Sequence, residues 1–259
     1  MANWIISNFP PGYEKMTYLE PFGGSLAVFF NKNRSIIETV NDIDSRVINL
    51  FKVLREQPEE LARLIKLTPW SRQEYKQSYE ISGDLIEDAR RFMVRMWQAI
   101  GSKTSDITGW RNNIQDLNGN VNQWSTKLPE RLIEVSSRLM HTKDHQVNIE
   151  NQDAFKLIER YSRPYVFIYA DPPYVRSTRS NRHYKYEMTD DQQHIQLLEI
   201  LKNHPGPVLI SGYDNKIYND LLEGWNKEYY SAKSEGGRSR TEVLWMNYQP
   251  DNRQLNLFE

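Results

Sequence analysis

Two short runs hold the residue types best suited to chemistry. The first is Asp171-Pro172-Pro173-Tyr174, directly after the apolar segment YVFIYA. It sets a carboxylate, a rigid proline turn and an aromatic ring at the end of a buried strand. A plain strand-ending turn would also use the prolines, because both fix φ and neither donates a ladder hydrogen bond. Such a turn needs neither the tyrosine nor a partner motif. The partner is Glu20-Pro21-Phe22-Gly23-Gly24-Ser25. Glycines at the carboxyl end of a first strand let the backbone approach a ligand, in the crevice where open α/β sheets bind cofactors. The run matches neither GxGxxG nor GxxxxGK[ST]. The next strand ends in Asn41-Asp42-Ile43-Asp44. Asp42 is placed to accept from ribose hydroxyls, while Asp44 suits a helix N-cap.

These motifs need a sheet to position them, and apolar patterning supplies one. Met16 to Phe22 reads as a strand that breaks at Pro21, followed by a glycine turn, a helix from Ser25, and a second strand over Ser35 to Val40. That order opens a parallel α/β sheet. A further helix runs through Leu50 and Leu54. Strands return at Val147 to Ile149, Tyr165 to Ala170, Val208 to Ser211 and Thr241 to Met246, with helices at Gln152 to Tyr161 and Asp190 to Lys202. Between Pro58 and Lys143 the alternation stops. Leu85, Ala89, Phe92, Met93, Met96, Trp97 and Ile100 lie on one helical face. Ser102 to Gln123 reads as loop-like, with Trp110 and Trp124 set in polar sequence. The expected division is residues 1–57 with 145–259 for the sheet, and 58–144 for a helical insertion.

Composition narrows the chemistry. The 259 residues contain no cysteine, which excludes disulfides, thiolate metal sites and cysteine nucleophiles. Five histidines include the pair His141 and His145, without HExxH or a similar companion, so no metal site is expected. A formal net charge of −1 argues against a surface that coats nucleic acid, though a local basic groove would suffice to bind it. No apolar run is long enough to span a bilayer, and no signal peptide is evident.

Taken in order, EPFGGS, NDID, IENQDAF, YADPPY and GGRSRTEVLW resemble the Dam-type, S-adenosylmethionine-dependent DNA adenine methyltransferases, particularly the phage and prophage forms. The resemblance covers nearly the whole chain. It implies a Rossmann-like methyltransferase sheet with an inserted, mainly helical target-recognition domain, acting on double-stranded DNA in the cytoplasm of a bacterium or a phage-infected one. It also implies site roles. Pro21, Phe22, Gly23, Gly24 and Ser25 would line the methionine end of the cofactor. Asp42 would hold its ribose, Ile43 its adenine ring and Asp153 its adenine amine. Asp171, with Pro172, Pro173 and Tyr174, would face the target base. The alternatives are methylation of the cytosine exocyclic amine and a non-catalytic DNA-binding relative. Family members usually open with a Gly-Gly-Lys segment packed over the cofactor, and this sequence starts about where that segment ends, so weaker cofactor binding is expected. Leu26 stands where the family often has the last glycine of FGGSGA.

The chemistry explains these residue types. An exocyclic adenine nitrogen is a poor nucleophile because its lone pair is delocalised. A carboxylate from Asp171 and a carbonyl from Pro172 would accept its two hydrogens and hold it in line for methyl transfer. Tyr174 would stack on a base swung out of the duplex. Lack of cysteine excludes ring-carbon methylation of cytosine. Beyond the tetrapeptide, Arg176, Arg179, Arg182 and Lys185 form an acid-free loop suited to phosphates, and Arg111 and Asn112 of the insertion could read base edges. Finally, Gln254, Leu255, Leu257 and Phe258 resemble the QLxLF peptides with which bacterial DNA-processing proteins bind the sliding clamp.

Overall fold

The strands alternate in chemistry, and this alternation separates the two faces of the sheet. The computed structural model describes residues 1–101, 106–112, 119–176, 186–233 and 239–250. Its strands are β1 (Thr17–Glu20), β2 (Ile37–Asn41), β3 (Gln146–Glu150), β4 (Val166–Ala170), β5 (Val208–Tyr213), β6 (Asn226–Lys233) and β7 (Ser239–Met246). They form one seven-stranded sheet in the order β3-β2-β1-β4-β5-β7-β6. The first five are parallel, and β7 runs antiparallel to both β5 and β6. Strand order reverses between β1 and β4, which opens a crevice at their carboxyl ends. This is the Rossmann-like sheet expected from the sequence.

The helices, in chain order, begin with α1 (Ala2–Ser7), α2 (Ala27–Asn31), α3 (Ser45–Glu56), α4 (Pro58–Leu67), α5 (Arg72–Gln77) and α6 (Leu85–Gln98). They continue with α7 (Gly119–Thr126), α8 (Leu128–Ser136), α9 (Ala154–Arg160), α10 (Asp191–Lys202) and α11 (Lys216–Leu221). Two compact units result. One comprises Met1–Ile43, Thr142–Arg182 and Glu187–Glu259; the other comprises Asp44–His141 with His183–Tyr186.

In the sheet unit, Leu19, Ile168, Ala170, Ile210, Val243 and Trp245 point to one face and join an aliphatic core with Leu157, Leu197 and Leu201 of α9 and α10. The intervening residues point the other way, as the two-residue period of a strand requires. Phe9 packs on this second, aromatic face, with ring centroids 4.7 Å from Phe167, 5.0 Å from Tyr13 and 6.0 Å from Tyr18. Lys32 and Glu38 form a buried ion pair there, with the ammonium 4.0 Å from the Tyr18 ring centroid.

The helical unit departs from the sequence reading in three places. Helix α3 clusters with it, so the observed boundary falls at Ile43/Asp44 rather than after residue 57. Its cap is the one expected, since the Asp44 carboxylate accepts from Arg46 N at 3.1 Å. Leu85 and Ile100, assigned to the buried face of α6, are 67% and 57% exposed, while Ala89, Phe92, Met93 and Val94 fill the core. Part of the supposed loop forms α7, and Trp124 is buried there, its indole N–H donating to Thr68 O at 2.8 Å. Tertiary burial of one tryptophan outweighed the polar residues around it. Arg90 ties α6 to α5 through Glu74 at 2.7 Å and to the end of α4 through Thr68 at 3.0 Å. In the sheet unit, β6 has no counterpart in the sequence reading, because an edge strand with a single neighbour can carry the polar run NKEYYSAK.

Leu26 has φ +53°, the left-handed region, yet its side chain is buried. That conformation costs a non-glycine residue about 1–2 kcal/mol, and burial of the leucine offsets it. Both Leu26→Ala and Leu26→Gly should therefore destabilise the fold. The glycine variant should be the more stable of the two by about 1 kcal/mol, the reverse of the order in an ordinary helix. Denaturant unfolding of the pair checks this.

Candidate active site

Asp171 follows β4 directly, so the strand's length and the proline turn decide where its carboxyl goes. The residue is half-buried as a whole, but its carboxyl is enclosed by protein, and burial pushes its pKa up to about 6. Hydrogen bonds from Ser211 and Tyr174 oppose that rise. Ser211 Oγ donates to Asp171 Oδ1 at 2.8 Å, and the Tyr169 hydroxyl lies 3.2 Å from the same Oγ. With the serine proton committed to Asp171, the tyrosine donates to the serine. Tyr174 donates to Glu242 Oε2 at 3.0 Å, and its ring meets Tyr213 edge-on at 4.5 Å.

Glu20 closes β1 on the same side. It is buried, accepts from the Tyr18 hydroxyl at 2.6 Å, and has its pKa pushed up to about 8, first by burial and then by the nearby charge of Asp171. The tyrosine bond and Lys32 pull the other way. The crevice thus holds two desolvated carboxyls, one mostly protonated at neutral pH and the other mostly ionised.

The glycine turn is fixed from below by Asn41, the buried last residue of β2. Asn41 Nδ2 donates to Pro21 O at 2.9 Å and Gln152 O at 3.0 Å, and its Oδ1 accepts from Gln152 N at 3.0 Å. One side chain therefore joins the EPFGGS, NDID and IENQDAF runs. Gly23 N donates to Asn41 O at 2.7 Å, so close that a Cβ on Gly23 would lie 2.9 Å from that oxygen. Gly24, with φ +50°, donates its N–H to Asp42 Oδ2 at 2.9 Å. Asn151 Nδ2 donates to Asp42 O at 2.7 Å, and the next residue, Ile43, is 46% exposed. Phe22 packs on the aliphatic core, and Ser25 is exposed. Asp153 caps α9, its Oδ1 accepting from Phe155 N and Lys156 N, each at 3.0 Å.

The fold thus brings the EPFGGS, NDID and IENQDAF runs and the Asp-Pro-Pro-Tyr run together at the carboxyl ends of neighbouring parallel strands. Of the basic loop, Arg176 is exposed, while Arg179, Arg182 and Lys185 lie outside the described residues. In the helical unit, Asn112 is exposed, whereas Arg111 is tied into the backbone: its guanidinium donates to Ala99 O at 3.3 Å, and its carbonyl accepts from Trp70 at 3.0 Å. Gln254, Leu255, Leu257 and Phe258 also lie outside the described residues. Sequence reading missed Asn41, Ser211, Tyr213 and Glu242 as site residues. A signal existed in ISGY, where Ser211 and Tyr213 interrupt an apolar strand at a spacing of two.

The strand order, with an enclosed aspartate after β4, fits the class of Rossmann-like methyltransferases. Residues 1–236 match the profile of the D12 class N6 adenine-specific DNA methyltransferases. The chain belongs to that family, whose members use S-adenosylmethionine to methylate adenine in DNA. A Type II methyltransferase of Lactococcus lactis subsp. cremoris, M1.LlaDCHI, is 25% identical, with 89% of this chain and 86% of that protein matched. Among solved structures, a SAM-dependent methyltransferase from Agrobacterium tumefaciens is 12% identical with a TM-score of 0.40; the match covers 96% of this chain and 60% of the other. The rRNA methyltransferase aviRa from Streptomyces viridochromogenes is 15% identical with a TM-score of 0.41, over 95% and 83% of the two chains.

The two raised carboxyls predict a pH signature. The folded state keeps protons that the unfolded chain has already lost, so stability falls as pH rises. For Asp171 the window runs from 3.8 to about 6, and for Glu20 from 4.5 to about 8. Glu20→Gln should flatten the upper part of this decline, between about pH 6 and 8. Unfolding free energies measured across that range check the sign.

Proposed function

We propose that the crevice at the carboxyl ends of β1, β2 and β4 binds S-adenosylmethionine, and that Asp171 and Pro172 present a flipped adenine of duplex DNA to it. The observation that carries this reading is the enclosed Asp171 carboxyl, held by Ser211 beside buried Glu20 at the point where strand order reverses. The residues present suit the cofactor. Gly24, with open space on its Cβ side, leaves a bare stretch of backbone for the methionine end, with Pro21, Phe22, Gly23 and Ser25 around it. The Asp42 carboxylate can accept from ribose hydroxyls, and exposed Ile43 offers an apolar surface for an adenine ring. Asp153 is assigned to the cofactor's adenine amine as well as to its helix cap. The cofactor supplies an electrophilic methyl group on a cationic sulfonium, a charge favoured beside the Asp171 carboxylate.

The remaining work falls to this chain. Asp171 and the Pro172 carbonyl accept the two amine hydrogens, which aligns the nitrogen and favours the pyramidal geometry it adopts as it is methylated. With its pKa near 6, Asp171 is ionised at neutral pH and still basic enough to take the proton the nitrogen then loses. Tyr174 stacks on the extruded base. Arg176, with Arg179, Arg182 and Lys185, contacts phosphates, while Arg111 and Asn112 approach base edges from the helical unit. The Lactococcus relative's name supports service as a Type II methyltransferase, and a bacterial cytoplasm is the setting.

Asp171→Ala should lower methyl transfer by at least about a hundredfold, with the fold retained. Tritiated-methyl labelling of DNA followed by nucleoside analysis measures this and identifies the product; turnover near that of the wild type would overturn the assignment. We also propose that Gln254, Leu255, Leu257 and Phe258 anchor the chain to a bacterial sliding clamp, which would raise its local concentration on new DNA. A chain ending at Arg253 should lose capture of the purified clamp while methylating free DNA unchanged, and equal capture by both chains would end that idea.

A further inference from the structure

Residues on β5 and β7 bracket the Asp-Pro-Pro-Tyr run. Ser211 and Tyr213 are two apart on β5, so they share a face of the sheet. Tyr213 pairs with Glu242 across the antiparallel β5–β7 ladder, which puts Glu242 on that face as well. Tyr174 sits on this cross-strand pair, with its ring edge-on to Tyr213 at 4.5 Å and its hydroxyl donating to Glu242 Oε2 at 3.0 Å. A phenol has one proton to give. With that proton given to Glu242, the tyrosine ring is held at both its edge and its tip.

We infer that Glu242 is a positioning residue for adenine methylation, acting through Tyr174: it accepts the tyrosine's hydroxyl hydrogen bond and, with Tyr213, holds the ring ready for the extruded base. This rests on the reading of Tyr174 and Asp171 as the groups that meet the target adenine. Glutamine keeps an oxygen acceptor at this position and alanine does not.

The test is a double-mutant cycle on the full chain, with two readouts: kcat and KM for an adenine-containing duplex, and the fluorescence of a 2-aminopurine placed at the target position. Glu242→Ala should lower kcat/KM about tenfold and reduce the fluorescence rise that accompanies flipping, while Glu242→Gln stays within about twofold of the wild type. In a Tyr174→Phe background, Glu242→Ala should cost less than about twofold, because the hydroxyl it served is gone. An equal loss in both backgrounds, or no loss in either, would overturn the inference. Melting temperatures and cofactor titration of each variant separate a merely unfolded protein from a mispositioned tyrosine. Tyr174→Ala tests the underlying reading separately. If it leaves the fluorescence rise intact, the base-stacking role fails; if it abolishes the rise while Glu242→Ala does not reduce it, only the positioning role fails.

Discussion

Everything at the crevice depends on keeping one carboxyl in place inside protein. Burial alone would push Asp171 toward its neutral form, in which it could not accept both a hydrogen bond and, later, a proton. The hydrogen bond from Ser211 works against that and fixes the direction of one carboxylate oxygen. Ser211 is itself fixed because it belongs to β5, the strand beside β4, with the Tyr169 hydroxyl packed against it. A side chain on a loop would carry no such guarantee. The proposed chemistry therefore rests on the register between two adjacent parallel strands.

The two faces of the sheet divide the labour. The aliphatic face, from Leu19 through Ile168 and Ile210 to Trp245, contributes the burial that holds strands and helices together. The opposite face carries the tyrosines Tyr18, Tyr169 and Tyr213 with the polar side chains Glu20, Ser211 and Glu242 among them. Their ring surfaces contribute to packing with Phe9 and Phe167, and their hydroxyls and carboxyls gather toward the crevice. Asn41 performs the equivalent service for the backbone. It fills its hydrogen bonds from two other runs, so the glycine turn is held to its neighbours by a single side chain.

The parts of this molecule that were legible in sequence are those governed by local rules. Alternating apolar runs marked six of the seven strands, and the glycine turn and the proline-fixed tetrapeptide marked the crevice. The cap role of Asp44 followed from its position before a helical pattern. What was not legible depends on pairing between distant segments. Nothing near Glu242 announces that it will face Tyr213 across a ladder, and nothing near Trp124 announces its burial. Strand β6 escaped because it ends the sheet among the described residues, and an edge strand can carry polar sequence. The left-handed Leu26 is a different case: the sequence substitutes a leucine where a glycine is usual, yet the backbone keeps the glycine-like conformation.

The most direct test of this account is the pH profile of kcat/KM for methyl transfer, compared between the wild type and Ser211→Ala. This parameter reports ionisations of the free enzyme. If Asp171 must be ionised to accept from the amine, the wild-type rate should rise with pH through an ionisation near 6. Loss of the serine hydrogen bond should move that limb to higher pH, because burial is then less opposed. A wild-type profile that is flat between pH 5 and 7, or a limb that stays in place when Ser211 is removed, would contradict the claim that a serine-held Asp171 is the group on which methylation depends.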